Sequence, residues 1–288
     1  MRVAYAPAEL TPARRAVALG TFDGVHVGHR RVIEAATAAG LKATVVTFDP
    51  HPRIVLGNQV ELIATLERRL ELIAALGVDE TLVFKFDLEV ARLEPEAFAA
   101  ELLRAIGAEV VVAGANFRFG RGRSGDLALL ARLGFDVRPV PLVEGVSSSH
   151  VRQLLRAGEV ERAARLLGRP PEVEGTVVAG DARGGTLGFP TANLRVDPQL
   201  LVPVYGIYAG SAVGHRAAVS IGTNPHYGGQ ERRVEAFLLD FDGDLYGRRL
   251  IVELWRRLRD ERAFESEAEL VRQIAADVEA TRAAEPPA

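Results

Sequence analysis

The strongest constraint on the fold is a change of hydrophobic period at Gly168-Arg-Pro-Pro171, where two adjacent prolines rule out a continuing helix. Ahead of it, short β-branched runs alternate with longer segments of helical period, the pattern of a parallel sheet covered by helices on both faces. Strands are expected at 17–22, 43–48, 81–86, 109–113 and 137–141. Helices are expected at 29–39 and 66–76, each stopped by a glycine, and at 95–106, opened by Pro95 and stopped by Gly107. A shorter pair, 150–157 and 160–167, leads up to the prolines. Beyond them, period-2 runs at 175–179, 206–213, 217–221, 234–241 and 250–255 read as an antiparallel barrel or sandwich. Ser266-Glu-Ala-Glu269 is a capping box that opens a last helix with Leu270, Ile274 and Val278 on one face. At 288 residues the chain is long enough for two domains, 1–170 and 171–288.

Hydrophobic residues at 48% and charged residues at 25% fit a globular chain rather than a disordered one or a coiled coil. No stretch approaches the roughly 18 apolar residues of a membrane span, and the first residues lack the apolar core of a secretory signal. A cytoplasmic location with no membrane partner is therefore expected. The absence of cysteine excludes thiol catalysis, disulfides and thiolate zinc sites. A net charge of -3 argues against a protein that coats nucleic acid, although local arginines can still hold small phosphates. An oligomer is compatible with this pattern but not specified by it.

Two constellations carry chemistry. Gly20-Thr-Phe-Asp-Gly-Val-His-Val-Gly-His29 lies where a strand gives way to a helix, the edge at which open α/β sheets bind ligands. Gly24 and Gly28 permit close backbone approach, and the helix start offers unpaired N–H groups. His26 and His29 fall on one side of the first turn, where they can donate to one triphosphate. The same residues would also make a Gly-rich turn with two surface histidines. The second constellation is Gly180-Asp-Ala-Arg-Gly-Gly-Thr-Leu-Gly-Phe-Pro-Thr-Ala-Asn193. Its glycines can wrap phosphates, and Thr191 and Asn193 can supply neutral oxygens to Mg²⁺ or hydrogen bonds to phosphate; alone, it also reads as a polar hairpin. Glu235 shares a strand face with Phe237, Leu239 and Phe241, opposite Val234, Ala236 and Leu238. On a partly apolar face it is either paired, with Arg232 or Arg233, or suited to act as a general base.

The first string continues in Thr47-Phe-Asp-Pro-His-Pro-Arg53, Gly114-Ala-Asn-Phe-Arg-Phe-Gly-Arg-Gly-Arg-Ser-Gly125 and Ser147-Ser-Ser-His-Val-Arg152. Together these resemble the nucleotidyltransferase half of the prokaryotic bifunctional riboflavin kinase/FMN adenylyltransferase family, often called FAD synthetase. Gly188-Phe-Pro-Thr-Ala-Asn193, Val234-Glu-Ala-Phe-Leu-Leu-Asp-Phe241, Leu245-Tyr-Gly247 and Leu258-Arg-Asp-Glu261 resemble, in order, its kinase half. The implied fold is an α/β Rossmann-like domain with a parallel sheet, followed by a six-stranded antiparallel Greek-key β-barrel with a C-terminal helix. The implied chemistry is phosphorylation of riboflavin by ATP to FMN at the C-terminal site, then adenylyl transfer from ATP to FMN at the N-terminal site. FAD and pyrophosphate are the products, and the partners are these small molecules.

The resemblance also implies residue roles. His26 and His29 hold the ATP phosphates on the Gly24 and Gly28 loop, Asn116 a phosphate or ribose, and Arg121 and Arg123 close over it. Ser147, Ser148 and Arg152 cradle the departing pyrophosphate, the serines equally serving as a helix cap. Phe48, Pro50 and His51 border the flavin, or make a tight turn after a strand. In the C-terminal half, Gly188, Thr191 and Asn193 take ATP and Mg²⁺, Glu235 takes the riboflavin 5′-hydroxyl proton, and Arg259 lies near the flavin. Gly185 and His226 stand where the family commonly carries Arg and Thr, which bears on kinase efficiency and leaves the proposed base and metal residues in place. Two rival readings are adenylyl transfer alone, with the C-terminal module reduced to flavin binding, and a non-catalytic flavin sensor.

Overall fold

A computed structural model describes residues 1–180, 189–223 and 232–287. Gly185, Gly188 and His226 lie outside the described residues. The chain divides into two compact units, 1–148 and 149–288.

The first unit runs β1 (Arg2–Ala4), β2 (Arg15–Leu19), α1 (Val27–Thr37), β3 (Lys42–Asp49), α2 (Pro52–Val55), α3 (Leu66–Ala74) and β4 (Glu80–Lys85). It continues with α4 (Pro95–Phe98), a wider helical turn at 99–104, β5 (Ala108–Gly114), the short pair β6 (Arg118–Phe119) and β7 (Gly125–Asp126), α5 (Leu127–Arg132) and β8 (Asp136–Val140). The sheet order is β1-β4-β3-β2-β5-β8, every pairing parallel. From β4 to β8 this is the 3-2-1-4-5 order of doubly wound, Rossmann-like sheets, which reverses direction between β2 and β5. The expected strands are all present within a few residues. β1 was not legible, because three residues are too few to show a period.

Alternation explains why both sheet faces are covered. Val17, Leu19, Val46, Phe48 and Val111 join one core with Phe98, Leu102 and Leu130, while Ala16, Ala18, Val45, Val110 and Val112 join another with Val32, Ile33 and Ile73. β2, β3 and β5, in the middle of the sheet, therefore bury both sets of side chains, as a covered parallel sheet requires. The amino-terminal edge is closed by charge. Arg15 and Glu80, 1% and 0% exposed, pair at 2.6 Å, and Lys42 reaches the second Glu80 oxygen at 2.9 Å. Burial alone would push the Glu80 carboxyl up, but the hydrogen bonds from Lys42 and Arg15 outweigh it and hold it below the usual range. The remaining guanidinium donors bond the carbonyls of Ile106 and Thr11.

The second unit holds most of α6 (Ser148–Arg156), then α7 (Val160–Leu167), β9 (Glu172–Val178), β10 (Ala192–Val196), β11 (Gly206–Ala212), β12 (His215–Thr223), β13 (Arg232–Leu238), β14 (Arg249–Arg259) and α8 (Glu267–Ala283). The strands close a barrel in the order β10-β13-β12-β11-β14-β9, with β9 paired back to β10. Successive β11, β12 and β13 with β14 returning beside β11 make a Greek key. Val177, Leu194, Val219, Val234, Ala236, Leu238 and Val252 are buried. The expected capping box forms with one difference: Ser266 Oγ accepts from Glu269 N, but Glu269 accepts from Glu265 N, one residue ahead of the cap. Val278 is buried and Leu270 and Ile274 half-buried, and α8 is fastened to the barrel through Asp277 to Arg259 (2.7 Å) and Arg282 to Asp240 (2.6 Å).

Removing one partner of a fully buried ion pair strands the other. Arg15→Met is therefore expected to destabilise the first unit by about 3–5 kcal/mol in urea unfolding, and Arg15→Met/Glu80→Leu to recover part of that loss.

Candidate active sites

The loops at the carboxyl ends of β2, β3 and β5 carry expected residues on either side of the reversal between β2 and β5. The loop from β2 to α1 is tightly wound: Phe22, Gly24 and Val25 have φ of 53°, 79° and 41°. A side chain on Gly24 would be strained by that φ and would also press on Ile63, 2.8 Å away, so glycine is required there. His26 is the N-cap of α1 rather than part of its first turn, and its Nδ1 accepts from His29 N at 3.1 Å. That bond places the neutral ring's proton on Nε2. The His26 and His29 rings stack with centroids 3.5 Å apart, and Phe22 meets His29 edge-on. Gly28 lies in the first turn of α1 against the His26 ring.

Other loops meet this one. Asp23, 2% exposed, accepts from Ile63 N and Ala64 N through its carboxylate, while its carbonyl accepts from Ser148 Oγ at 3.0 Å. The Ser147–Ser148 and Gly20–His29 motifs are thus joined although 125 positions separate the bonded residues. Ser147 is exposed, and Arg152 sits buried one turn along α6, within the second unit. Asn116 is exposed at the carboxyl end of β5, its Oδ1 close over Gly114. Arg121 and Arg123 are exposed on the β6–β7 hairpin, where Arg121 pairs with Glu94 at 2.6 Å.

Three expectations take on structural work. His51 caps α2, accepting from Arg53 N, and Pro50 follows a cis peptide bond in the turn before it. Phe48, 6% exposed, packs among Phe84, Phe86 and Phe98, so its ring is part of the core. Arg259 spends its guanidinium on Asp277 and the Asp260 carbonyl, holding α8 to β14.

At the barrel, register brings the second constellation together. Asn193 of β10 lies opposite Glu235 of β13, and Thr191 Oγ1 is 3.5 Å from Glu235 Oε2. β10 begins at Ala192, at the end of this stretch, and carries Asn193 to Glu235. Gly180 is needed here, since a Cβ would run into the Asn193 amide. Glu235 lies on the outer face, half-buried, while its neighbours Val234 and Ala236 point inward. Arg233 pairs with it at 3.1 Å, one of the two readings left open by the pattern, and Phe189 meets Phe237 edge-on beside it. β13 is not an edge strand, because the barrel is closed. Among the described residues no three His, Cys, Asp or Glu side chains group as a metal site. One carboxylate beside a hydroxyl and an amide suits Mg²⁺, which takes oxygen ligands and leaves positions for phosphate.

Sequence reasoning missed Arg69 of α3. It is 3% exposed and donates to the carbonyls of Thr21 and Phe48, beneath the Gly20–His29 loop. Its signal was a charge on the apolar stripe of a helix, three positions after Leu66 and four before Ile73.

Comparison with known proteins separates the two halves by family. Residues 9–151 match the FAD synthetase family and residues 167–284 the riboflavin kinase family. A bifunctional riboflavin kinase/FMN adenylyltransferase of Listeria monocytogenes is 38% identical over 96% of this chain and 94% of its own length. The chain belongs to the bifunctional riboflavin kinase/FMN adenylyltransferase family. Enzymes of that name from Bacillus subtilis, 35% identical over 92% of this chain and 90% of theirs, and Escherichia coli, 37% over 90% and 89%, are similar throughout. A crystal structure titled macrolide-efflux protein, from Streptococcus pneumoniae, shares the fold with a TM-score of 0.86. It is 33% identical and covers 97% of this chain and 98% of its own. Among the described residues of this family member, no helix is long and apolar enough to cross a membrane. Its FAD synthetase domain contains His26, His29, Asn116 and Ser148, and its riboflavin kinase domain contains Thr191, Asn193, Glu235 and Arg259.

Burial pushes the His26 imidazole down to about 4 from its ordinary 6.5. Between those values the unfolded chain binds a proton that the folded one does not, so stability present above pH 6.5 is lost as pH falls. The loss reaches about 2–3 kcal/mol by pH 4.5. His26→Asn keeps an acceptor for the cap and cannot titrate. Hydrogen exchange of the α1 amides in urea at pH 7 and 4.5 is expected to show a drop smaller by that amount in the variant.

Proposed function

We propose that this chain phosphorylates riboflavin to FMN at Thr191, Asn193 and Glu235, then adenylylates FMN to FAD around His26 and His29. Residues 1–170 and 171–288 are the two functional domains in this reading. The observation that carries it is the meeting of Glu235 with Thr191 and Asn193, 44 and 42 positions apart in sequence, on one outer face of the barrel. A flavin-binding module would need no carboxylate beside a hydroxyl and an amide at a phosphate loop.

In the kinase reaction Glu235 accepts the proton of the riboflavin 5′-hydroxyl as that oxygen attacks the γ-phosphorus, and the bond to the β–γ bridging oxygen breaks to release ADP. Arg233 orients the carboxylate, and Gly188 belongs to the phosphate loop ahead of Thr191. Thr191 and Asn193 would hold Mg²⁺, which would offset the phosphate charge. Arg259 serves this site indirectly by holding α8.

In the adenylyl transfer the FMN phosphate is already ionised, so no base is required. Its oxygen attacks the α-phosphorus of ATP, and the α–β bond breaks to release pyrophosphate. His26 donates from Nε2 as a neutral group, since its Nδ1 is spent on the cap. His29 and the α1 amides hold the triphosphate beside it. Asn116, Arg121 and Arg123 cover the nucleotide, Ser147, Ser148 and Arg152 receive pyrophosphate, and Pro50 and His51 border the flavin with Phe48 supporting the turn from the core. The use of ATP in both reactions supports a cytoplasmic location in this reading.

A time course with riboflavin, ATP and Mg²⁺, resolved by chromatography, is expected to show FMN first and FAD after it. His29→Ala should cut FAD formation about 100-fold or more while FMN formation persists. Glu235→Gln should cut FMN formation by about 10²–10⁴ while added FMN still becomes FAD. Untouched riboflavin in the unaltered protein would reduce the barrel to flavin binding.

A further inference from the structure

We infer that Arg69, outside every recognised motif, is a positioning residue of the adenylyl-transfer site, holding the β2–α1 loop against the end of β3 so that the α1 N-terminus is set before ATP arrives. The inference rests on the reading of His26 and His29 given above. One guanidinium nitrogen, Nη1, donates to the Thr21 carbonyl at 2.9 Å and to the Phe48 carbonyl at 3.3 Å, and Nη2 reaches Asp49 Oδ1 at 3.4 Å. Thr47 Oγ1 donates to the same Thr21 carbonyl at 2.8 Å. Thr21 therefore carries two donors immediately before Phe22, the first residue of the wound loop, and that loop ends at the His26 cap.

The loop needs such a hold. Phe22 and Val25 occupy left-handed backbone that strains a residue other than glycine and survives only where the surroundings over-determine it. Asp23 fixes the middle of the loop through Ile63, Ala64 and Ser148. Arg69 fixes its start and, together with Thr47, ties the loop to the end of β3 with a charged donor.

Stability alone does not explain an arginine at this position. Its helix face also carries the fully buried Ile73, where an aliphatic side chain would bury without cost. The guanidinium is 3% exposed, its Nε has no hydrogen-bond partner among the described residues, and burial pushes its pKa below the usual arginine value against the pull of Asp23 and Asp49. A charge kept there at such expense beside strained backbone is explained by what it holds in place.

The test uses the full chain, with FMN formation as the internal control. Arg69→Met is expected to lower kcat for FAD formation about 100-fold, the cost of a misplacement near 1 Å, with KM for ATP little changed and FMN formation intact. Arg69→Lys, whose single ammonium can reach the two carbonyls but not Asp49 as well, is expected to recover part of the loss. If Arg69→Met fails to fold, Arg69→Lys decides: an unchanged unfolding midpoint with kcat down about tenfold supports the positioning role. Wild-type kcat in Arg69→Lys overturns it, and so does a loss that follows the unfolding midpoint and is regained on cooling. His29→Ala measured in parallel separates the two levels. If it abolishes FAD formation while the Arg69 variants are active, only the role of Arg69 falls; if it too is active, the reading of the site falls and this inference with it.

Discussion

A parallel sheet sends every strand out at one edge, and the first unit is organised by that constraint. The loops after β2, β3 and β5, and the segment after β8, bear the Gly20–His29, Thr47–Arg53, Gly114–Gly125 and Ser147–Arg152 motifs. None of these needs to be near another in sequence, because parallel pairing has already collected them. The opposite edge is free to be purely structural, and there the buried Arg15–Glu80 pair closes the sheet. Division of labour between the two edges follows from strand direction.

The barrel solves the same problem by register. Closure leaves no edge and no slack, so pairing Asn193 with Glu235 fixes both the height and the face of each. Thr191 precedes the strand and reaches the same carboxylate. Gly180 supplies a close approach by leaving room for the Asn193 amide.

Much of this was legible in the sequence because it rests on period and on local chemistry. Alternation gave the two sheet faces, glycine and proline gave the helix ends, and the motif strings gave the family. What stayed hidden depends on tertiary contact. β10 could not be separated from its loop, since five residues with Leu194 as the one buried side chain are too few to show a period. His26 looked like a helical residue, but its imidazole acceptor made it a cap. Phe48 and Arg259 sit inside recognisable motifs yet serve the core and the C-terminal helix, because a motif records which residues recur together and not which of them face the ligand. Arg69 was hidden for the converse reason: its partners are backbone carbonyls, which have no sequence signature.

Glu235 lies on the outside of a closed barrel whose interior is filled by Val234, Ala236 and Leu238 from the same strand. Odd and even positions of one strand thus answer to different selective pressures. Residues that meet substrate can be exchanged without repacking the interior, and the interior can drift among aliphatic residues without disturbing chemistry. With the kinase site as proposed, a lineage can retune which flavin or nucleotide the barrel accepts through outward-facing substitutions at little cost in folding, and the same property makes that face a natural place to begin directed evolution.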